Sequence, residues 1–567
     1  MTQIANHRDT EPRRLFDFSL SPWLTRAVLW LLPLAFLLIA FFYPLSRILA
    51  LSFDSQTLSA ENLLLASRVL GFTFYQAALS TLLTLLLGLP AAYLFARYDF
   101  RGKSLLRALT AVPFMLPTVV VAAGFNALLG PRGLLHTLFP FLSFEFVGTL
   151  TAILIAHVFY NTTIIIRVVG NALSSLDPKL EAAARSLGAD ASRVWWNVTF
   201  PLLRPSLFAS SLLVFLFDFT SFGVVLLLGG SQFATLEVEI YLRVLRLPNL
   251  PLAALLAVIQ LICTVIFSVL YARFASRAAV QTAPRSAASY IRQPKTLRER
   301  LFMTAFALLL TSFFLLPLSA LPLRSLFRLE ADRGQRGEIQ YGFTTDYYRE
   351  LFVNRRGSVF YVPPIQATVN SLGYASATVA LSLLLGFPAA MALAKPTRLE
   401  RILDPLIMLP LGSSAVMLGL GFILSYGAWL TSPFLVPFAH ALVALPFVIR
   451  ALQPAIASIP QRLRQAATSL GASPLEVWKN IDVPILRRPT LTAAIFAFTI
   501  SLGEFGATLL IARPEYPTIP VAIERFLSQP GGLNYGQAMA MATILMVLTT
   551  VSILLIERFR LPGSGEF

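Results

Sequence analysis

The chain has 567 residues, 56% of them hydrophobic and only 13% charged, with a formal net charge of +17. A soluble domain is about a quarter charged, so this composition and a mean hydropathy of +0.72 place the chain among membrane proteins. The basic residues sit in short segments between apolar runs, which excludes a nucleic-acid-binding face, and the single cysteine, Cys263, excludes an intramolecular disulfide and a thiolate metal cluster.

The N-terminal stretch Met1–Ser21 is polar, carries Arg8, Arg13 and Arg14, and is not followed by a short apolar core with a small-residue cleavage site. It reads as a cytoplasmic tail rather than a cleaved signal. Apolar runs then predict helical spans near 27–50, 72–96, 105–129, 147–170, 206–229 and 251–274, and again near 301–324, 367–394, 402–429, 434–453, 490–512 and 536–557. Their lengths suit helices crossing a hydrocarbon core about 30 Å thick, and alternation of period two is absent.

Basic residues set the orientation. Arg97, Arg101, Lys103 and Arg107 follow the second span; Arg273, Arg277, Arg285, Arg292, Lys295, Arg298 and Arg300 follow the sixth; Lys395, Arg398 and Arg401 follow the eighth. All fall on the side of the N-terminal tail, so both termini are expected in the cytoplasm. The segment 325–366 then lies outside; it mixes Arg with Glu330, Asp332, Glu338, Asp346 and Glu350 and is expected to form a small folded loop. The polar linker 275–300 reads as a cytoplasmic boundary between two units, 1–274 and 301–560, and residues 561–567 as an added tail.

The two units repeat each other. Leu85-Leu-Leu-Gly-Leu-Pro-Ala-Ala answers Leu383-Leu-Leu-Gly-Phe-Pro-Ala-Ala at a shift of 298, and from His157/His440 to Thr235/Thr518 the shift is 283 without a gap. Arg167 matches Arg450, Gly188 matches Gly471, Trp195 matches Trp478, Pro201 matches Pro484 and Gly223 matches Gly506. Six spans per copy insert both copies the same way, which predicts an all-α polytopic membrane protein of about twelve transmembrane helices in two parallel six-helix repeats.

The loop after the fourth span of each copy is the most informative segment. It reads Glu181-Ala-Ala-Ala-Arg-Ser-Leu-Gly188 and then Val194-Trp-Trp-Asn-Val-Thr-Phe-Pro201; its partner reads Gln465-Ala-Ala-Thr-Ser-Leu-Gly471 and then Val477-Trp-Lys-Asn-Ile-Asp-Val-Pro484. Each predicts a short helix of small residues ended by glycine, then a second short helix stopped by proline. Small side chains let another surface approach closely, so each loop is shaped as a docking knob. The paired tryptophans Trp195 and Trp196, with Trp478, would anchor it at the headgroup level.

These loops resemble the signature of the inner-membrane permeases of binding-protein-dependent ABC importers: Glu-Ala-Ala, three residues, Gly, nine residues, an apolar residue and, two positions on, Pro. Counted back from Gly188, the family's Glu position is Ala182, with Glu181 one place early; in the second copy it is Gln465. The Ala-Ala, Gly and Pro positions hold in both. The resemblance implies that Glu181, Ala182, Ala183, Gly188, Pro201, Gln465, Ala466, Ala467, Gly471 and Pro484 form two coupling loops. They would seat in a homodimeric ABC ATPase, with ATP and magnesium on that partner and alternating access as the mechanism. It also implies an extracytoplasmic solute-binding protein and a bacterial inner-membrane location. The chain has no Gly-x-x-x-x-Gly-Lys-Ser/Thr loop of its own, so it is expected to be a non-catalytic subunit.

Fused permeases of this length most resemble the ferric-iron and thiamine subgroup, which makes ferric iron the first expected cargo and thiamine the second, with sulfate, molybdate and polyamines as alternatives. The stretches Asp218-Phe-Thr-Ser-Phe-Gly223 and Ser501-Leu-Gly-Glu-Phe-Gly506 look like that subgroup. A carboxylate inside a span is costly and tends to be functional. Asp218, Ser221, Ser501 and Glu504 pair acid with serine in swapped order, so they are candidates for a cation pathway or for hydrogen-bonding helix ends. His157 and His440 stand alone on their helices, without a second ligand at i+3 or i+4, and are expected to make interhelical hydrogen bonds. Pro90, Pro113, Pro388 and Pro410 are expected to shape helices. An ion-coupled secondary transporter would want charged relays in several spans and no docking loops. A membrane-embedded enzyme would want a cluster at catalytic spacing. The sequence shows neither.

Overall fold

The computed structural model describes residues 22–54, 57–139, 141, 145–281, 293–294, 296–329, 341–354, 362–430 and 432–559. The tail 1–21, residues 282–292 and 295 of the linker 275–300, the acidic positions Glu330, Asp332 and Glu338, and the tail 561–567 lie outside these residues. Among the described residues, eleven helices are long and apolar enough to cross a membrane, and a bent pair makes a twelfth crossing.

In the first half the order is α1 (Arg26–Ser52), α2 (Ala60–Arg97), α3 (Lys103–Met115), α4 (Thr118–Leu129), α5 (Leu150–Ser175), α6 (Pro178–Ser186), α7 (Ala191–Phe219), α8 (Leu236–Leu245) and α9 (Leu250–Gln281). The second half follows with α10 (Leu297–Leu326), α11 (Gln366–Leu393), α12 (Arg398–Gly412), α13 (Ala415–Tyr426), α14 (Leu435–Ala457), α15 (Gln461–Ser469) and α16 (Pro474–Gly503), then α17 (Gly506–Ile511), α18 (Ile519–Leu527) and α19 (Gly532–Phe559). Polar side chains meet the first amides of these helices. Ser59 accepts from Asn62, Thr149 accepts from Ala152, and Thr296–Glu299 and Thr397–Glu400 form capping boxes.

The structure departs from the sequence expectation at four crossings. The spans expected as single helices at 105–129 and 402–429 are each two helices. In the first, Pro117 has no amide hydrogen and pushes Leu116 into the extended region (φ −78°, ψ 146°), so α3 ends and α4 starts anew. In the second, Gly412 and Ser413 end α12, the Ser414 hydroxyl takes the Met417 amide at 3.1 Å, and the two axes differ by 96°. The spans expected at 206–229 and 490–512 begin earlier and end sooner. α7 stops at Phe219 and α16 at Gly503, after which the chain turns and returns as the short helices α8 and α18. Part of the segment 325–366 forms a two-stranded antiparallel ribbon, β1 (Phe327–Arg328) with β2 (Gly342–Phe343), held by Arg328 donating to Asp346 at 3.0 Å.

The sequence repeat and the packing unit differ. The α1 span packs on α11, α13 and α14 of the other half, and α10 packs on α3 and α4 of the first. Phe36 meets Phe438 at 5.8 Å between ring centroids, and Phe314 meets Phe159 at 5.3 Å. The Tyr426 hydroxyl donates to the Ile39 carbonyl at 2.7 Å, and Arg26 donates to the fully buried Glu400 at 3.1 Å. Each half thus lends its first helix to the other.

Candidate functional site: coupling elements and the axis

The two loops singled out from sequence are built alike. In the first, Asp177 caps α6 through the Lys179 amide at 2.9 Å; Gly188 then takes φ +86°, and the Ala189 amide reaches back to the Ala184 carbonyl at 3.1 Å. In the second, Gly471 takes φ +89° and the Ala472 amide reaches the Ala467 carbonyl at 3.0 Å. A side chain at either glycine would be strained, because this left-handed region disfavours any Cβ. Asp190 and Ser473 cap the helices that follow.

Pro201 and Pro484 do not stop those helices, as the sequence reading expected. A π turn at Trp195–Thr199 and another at Trp478–Asp482 change the hydrogen-bond register just before each proline, so its missing amide falls at the change and the helix runs on. Ala182, Ala183, Gly188, Gln465, Ala466, Gly471 and Pro484 are exposed, and Ala467 and Pro201 half-exposed.

Sequence reasoning missed the most prominent side chains. Leu187 is 88% exposed and Leu470 89%, and Leu180 and Leu463 are exposed beside them. These pairs sit at the same shift of 283, so each half presents an equivalent apolar knob. Leucine next to a glycine in a polar loop was the available signal.

Glu181 is turned inward. Its carboxylate accepts from Arg97 at the end of α2 and from the Thr199 hydroxyl at 3.2 Å. In the second half the equivalent of Glu181 is Arg464, which donates to Asp482, the equivalent of Thr199, at 2.8 Å. An acidic hand toward a partner, the role the resemblance implies for Glu181, is therefore taken up by the protein's own α2.

The candidate pathway residues lie deeper, and the structure gathers each half's set around its histidine. The Asp218 carboxylate, fully buried in the last turn of α7, accepts from Asn161 Nδ2 at 2.7 Å and lies 3.3 Å from His157 Nδ1. His157 also meets Ser80 at 3.0 Å and Ser221 at 2.8 Å, and Gln76 donates to the Asp218 carbonyl at 2.8 Å. In the second half His440 meets Ser501 and Thr508, each at 2.7 Å, and lies 3.2 Å from the Glu504 carboxylate. Glu504 stands just past the end of α16 and caps α17, accepting the amides of Ala507 at 2.8 Å and Thr508 at 3.0 Å. Each cluster ties the fifth crossing of its half to the fourth and second, and the two carboxylates are not brought together.

A buried acid near the axis-facing helices also escaped the sequence reading. Glu237 of α8 accepts from Gln260 at 2.5 Å and, across the halves, from Ser414 at 2.5 Å. Its signal was two glutamates, Glu237 and Glu239, in an apolar setting. The α8 and α18 helices are also pinned alike, the Leu236 amide by Thr73 at 3.0 Å and the Ile519 amide by Ser371 at 2.9 Å.

The family described as binding-protein-dependent transport system inner membrane component matches residues 84–280 and again 382–560, one match in each half. The thiamine transport system permease protein of Brucella abortus (strain 2308) is 28% identical over 500 residues, covering 87% of both chains. Its counterpart in Escherichia coli (strain K12) is 28% identical over 513 residues, covering 88% of this chain and 89% of the relative. A probable ABC transporter permease protein of Sinorhizobium fredii is 26% identical over 511 residues, 87% of this chain and 88% of its own. With both halves matched and the duplicated loops in place, the chain belongs to the inner-membrane permease components of binding-protein-dependent ABC importers.

Proposed function

We propose that the chain is the membrane subunit of an ATP-driven importer for thiamine, received from an external binding protein. The observation that carries the reading is the pair of equivalent, exposed knobs, Leu180 with Leu187 and Leu463 with Leu470, on one side of a chain of this family. Two like knobs suit a two-fold symmetric pair of ATPase subunits, which would bind and hydrolyse ATP with magnesium. Closure of that pair would drive the halves about their axis, and the exchanged first helices would keep them joined. This orientation puts both termini in the cytoplasm of a bacterial cell, with the chain in its inner membrane. The relatives' names favour thiamine and displace ferric iron from first place. Asp218 and Glu504, the candidates for a cation pathway, are engaged by histidines and, for Glu504, a helix start within their own halves. We assign them to holding α7 and α16 in place rather than to touching cargo.

The test is uptake of labelled thiamine into proteoliposomes holding the chain, its ATPase and its binding protein. ATP-dependent accumulation of thiamine and not of ferric ion is expected. Accumulation driven by a proton or sodium gradient without ATP would overturn the reading in favour of a secondary transporter.

A further inference from the structure

In a parallel repeat, residues that are equivalent and yet in contact can only lie on the axis that relates the halves. Phe222 and Phe505 are equivalent at the shift of 283, and their rings touch with centroids 5.4 Å apart. Tyr241 of α8 sets its ring edge-on to Phe222 at 5.6 Å. Its own equivalent is Glu524 of α18, whose carboxylate accepts from the Ser528 hydroxyl at 3.0 Å. All four side chains are buried, Phe222 at 7% exposure, Phe505 at 3%, Tyr241 at 4% and Glu524 at 8%.

Glycines let the halves close at this level. A Cβ on Gly223 would come 2.5 Å from Thr118 Oγ1 and 3.3 Å from the Phe505 ring, and one on Gly503 would come 3.1 Å from Pro117. Below the phenylalanines, α7 and α16 do not pack along one another. The contact therefore shuts the axis at the end away from the coupling elements, and cargo moving along the axis has to part it.

We propose that Phe222, Phe505, Tyr241 and Glu524 form an axial selection site for a flat aromatic cation. This deepens the thiamine reading and rests on it. Aromatic faces are electronegative and stack on a flat ring, so they hold an organic cation and repel a desolvated anion. In the closed state the Ser528 hydroxyl donates to Glu524, and an entering cation gives the carboxylate a charged partner in its place. The thiazolium of thiamine has the required charge and its pyrimidine ring the required flatness.

The experiment uses the same proteoliposomes and reads thiamine moved per ATP hydrolysed. The variants are Phe222→Leu with Phe505→Leu, which keep bulk and lose the aromatic face, and Glu524→Gln; Phe208→Leu, on the exposed flank of α7, is the control. Losing the aromatic faces or the carboxylate is expected to lower that ratio about tenfold, with stimulation of the ATPase by loaded binding protein kept within about twofold and the control unchanged. If wild-type complex moves thiamine and the variants keep its ratio, the selection site is wrong and the cargo reading stands. If ATPase stimulation is lost together with transport, the cluster is structural and the proposal falls. If wild-type complex moves no thiamine, the cargo reading falls and this site with it.

Discussion

The two halves share a backbone plan and differ in the chemistry hung on it. Both put a histidine on the fourth crossing, a serine on the fifth and a hydroxyl on the second, Ser80 in one and Thr378 in the other. In the first half the acid is Asp218, in the last turn of α7 and helped by Asn161. In the second it is Glu504, three residues later in register, where it also starts a helix. A charge reversal occurs at the duplicated loops, where Glu181 is held by Arg97 and its equivalent Arg464 is held by Asp482, which stands where the first half has Thr199. Fusion explains the freedom. Two copies joined in one chain need only complementary partners within each half, so charge can trade places as long as each buried group keeps one.

That comparison can be broken most forcefully at the glycines. Replacing both Gly188 and Gly471 by leucine strains two left-handed positions and should abolish ATP-driven uptake, with each single variant losing about tenfold, since a left-handed residue with a Cβ costs about 1–2 kcal/mol. Co-purification of the ATPase measures it, and a strong inequality between the two singles would show that the knobs are not equivalent. Next come the buried acids. Glu504→Ala strands two amides, a hydroxyl and His440, whereas Asp218→Ala strands Asn161 and His157. Thermal unfolding in detergent should show a loss of about 3 kcal/mol for the first and about 2 for the second.

A smaller effect tests the charge exchange itself. Glu181→Arg sets a second cation beside Arg97 and should weaken ATPase binding about fivefold, as expected of a pair worth about 1 kcal/mol. Adding Thr199→Asp recreates the pattern of the second half and should restore binding; failure to do so would mean that the halves are not interchangeable at this tie. The smallest effect lies at the cap of α16. Glu476 is exposed, and its hydrogen bonds from the Ser473 amide and hydroxyl hold its pKa below the usual carboxylate value. A depressed folded pKa gives support that is present above the ordinary pKa and lost as pH falls through the depressed one. Protection of the amides near Pro474–Val477, taken against their intrinsic exchange rates, should therefore fall at acid pH in the wild type and lose that pH response in Glu476→Gln, while Asp190 gives the first half a cap with no such box.

Much of the fold was legible because bilayer thickness and hydropathy leave few choices: a run of about 20 apolar residues has to be a crossing helix. The repeat, the two docking loops and the turn at Gly188 and Gly471 were legible for an equally local reason, since small residues and a left-handed glycine announce themselves in sequence. The breaks at Pro117 and at Ser413–Ser414 were not, because only the first has a proline and the second depends on a serine cap that competes with continued helix. The ends of α7 and α16 were hidden because the chain stays apolar beyond Phe219 and Gly503 while its backbone turns.

What the sequence by itself determined is the membrane class, the duplication, the family and the position of the two glycine-turned loops, all of which rest on local pattern. Only the tertiary structure decided that each half lends its first helix to the other, that Asp218 and Glu504 belong to separate histidine clusters, and that Phe222 meets Phe505 on the axis. The physical reason is that these are contacts between residues far apart in the chain. A carboxylate in an apolar run reports its need for a partner, and only the packing of the helices says which partner answers it.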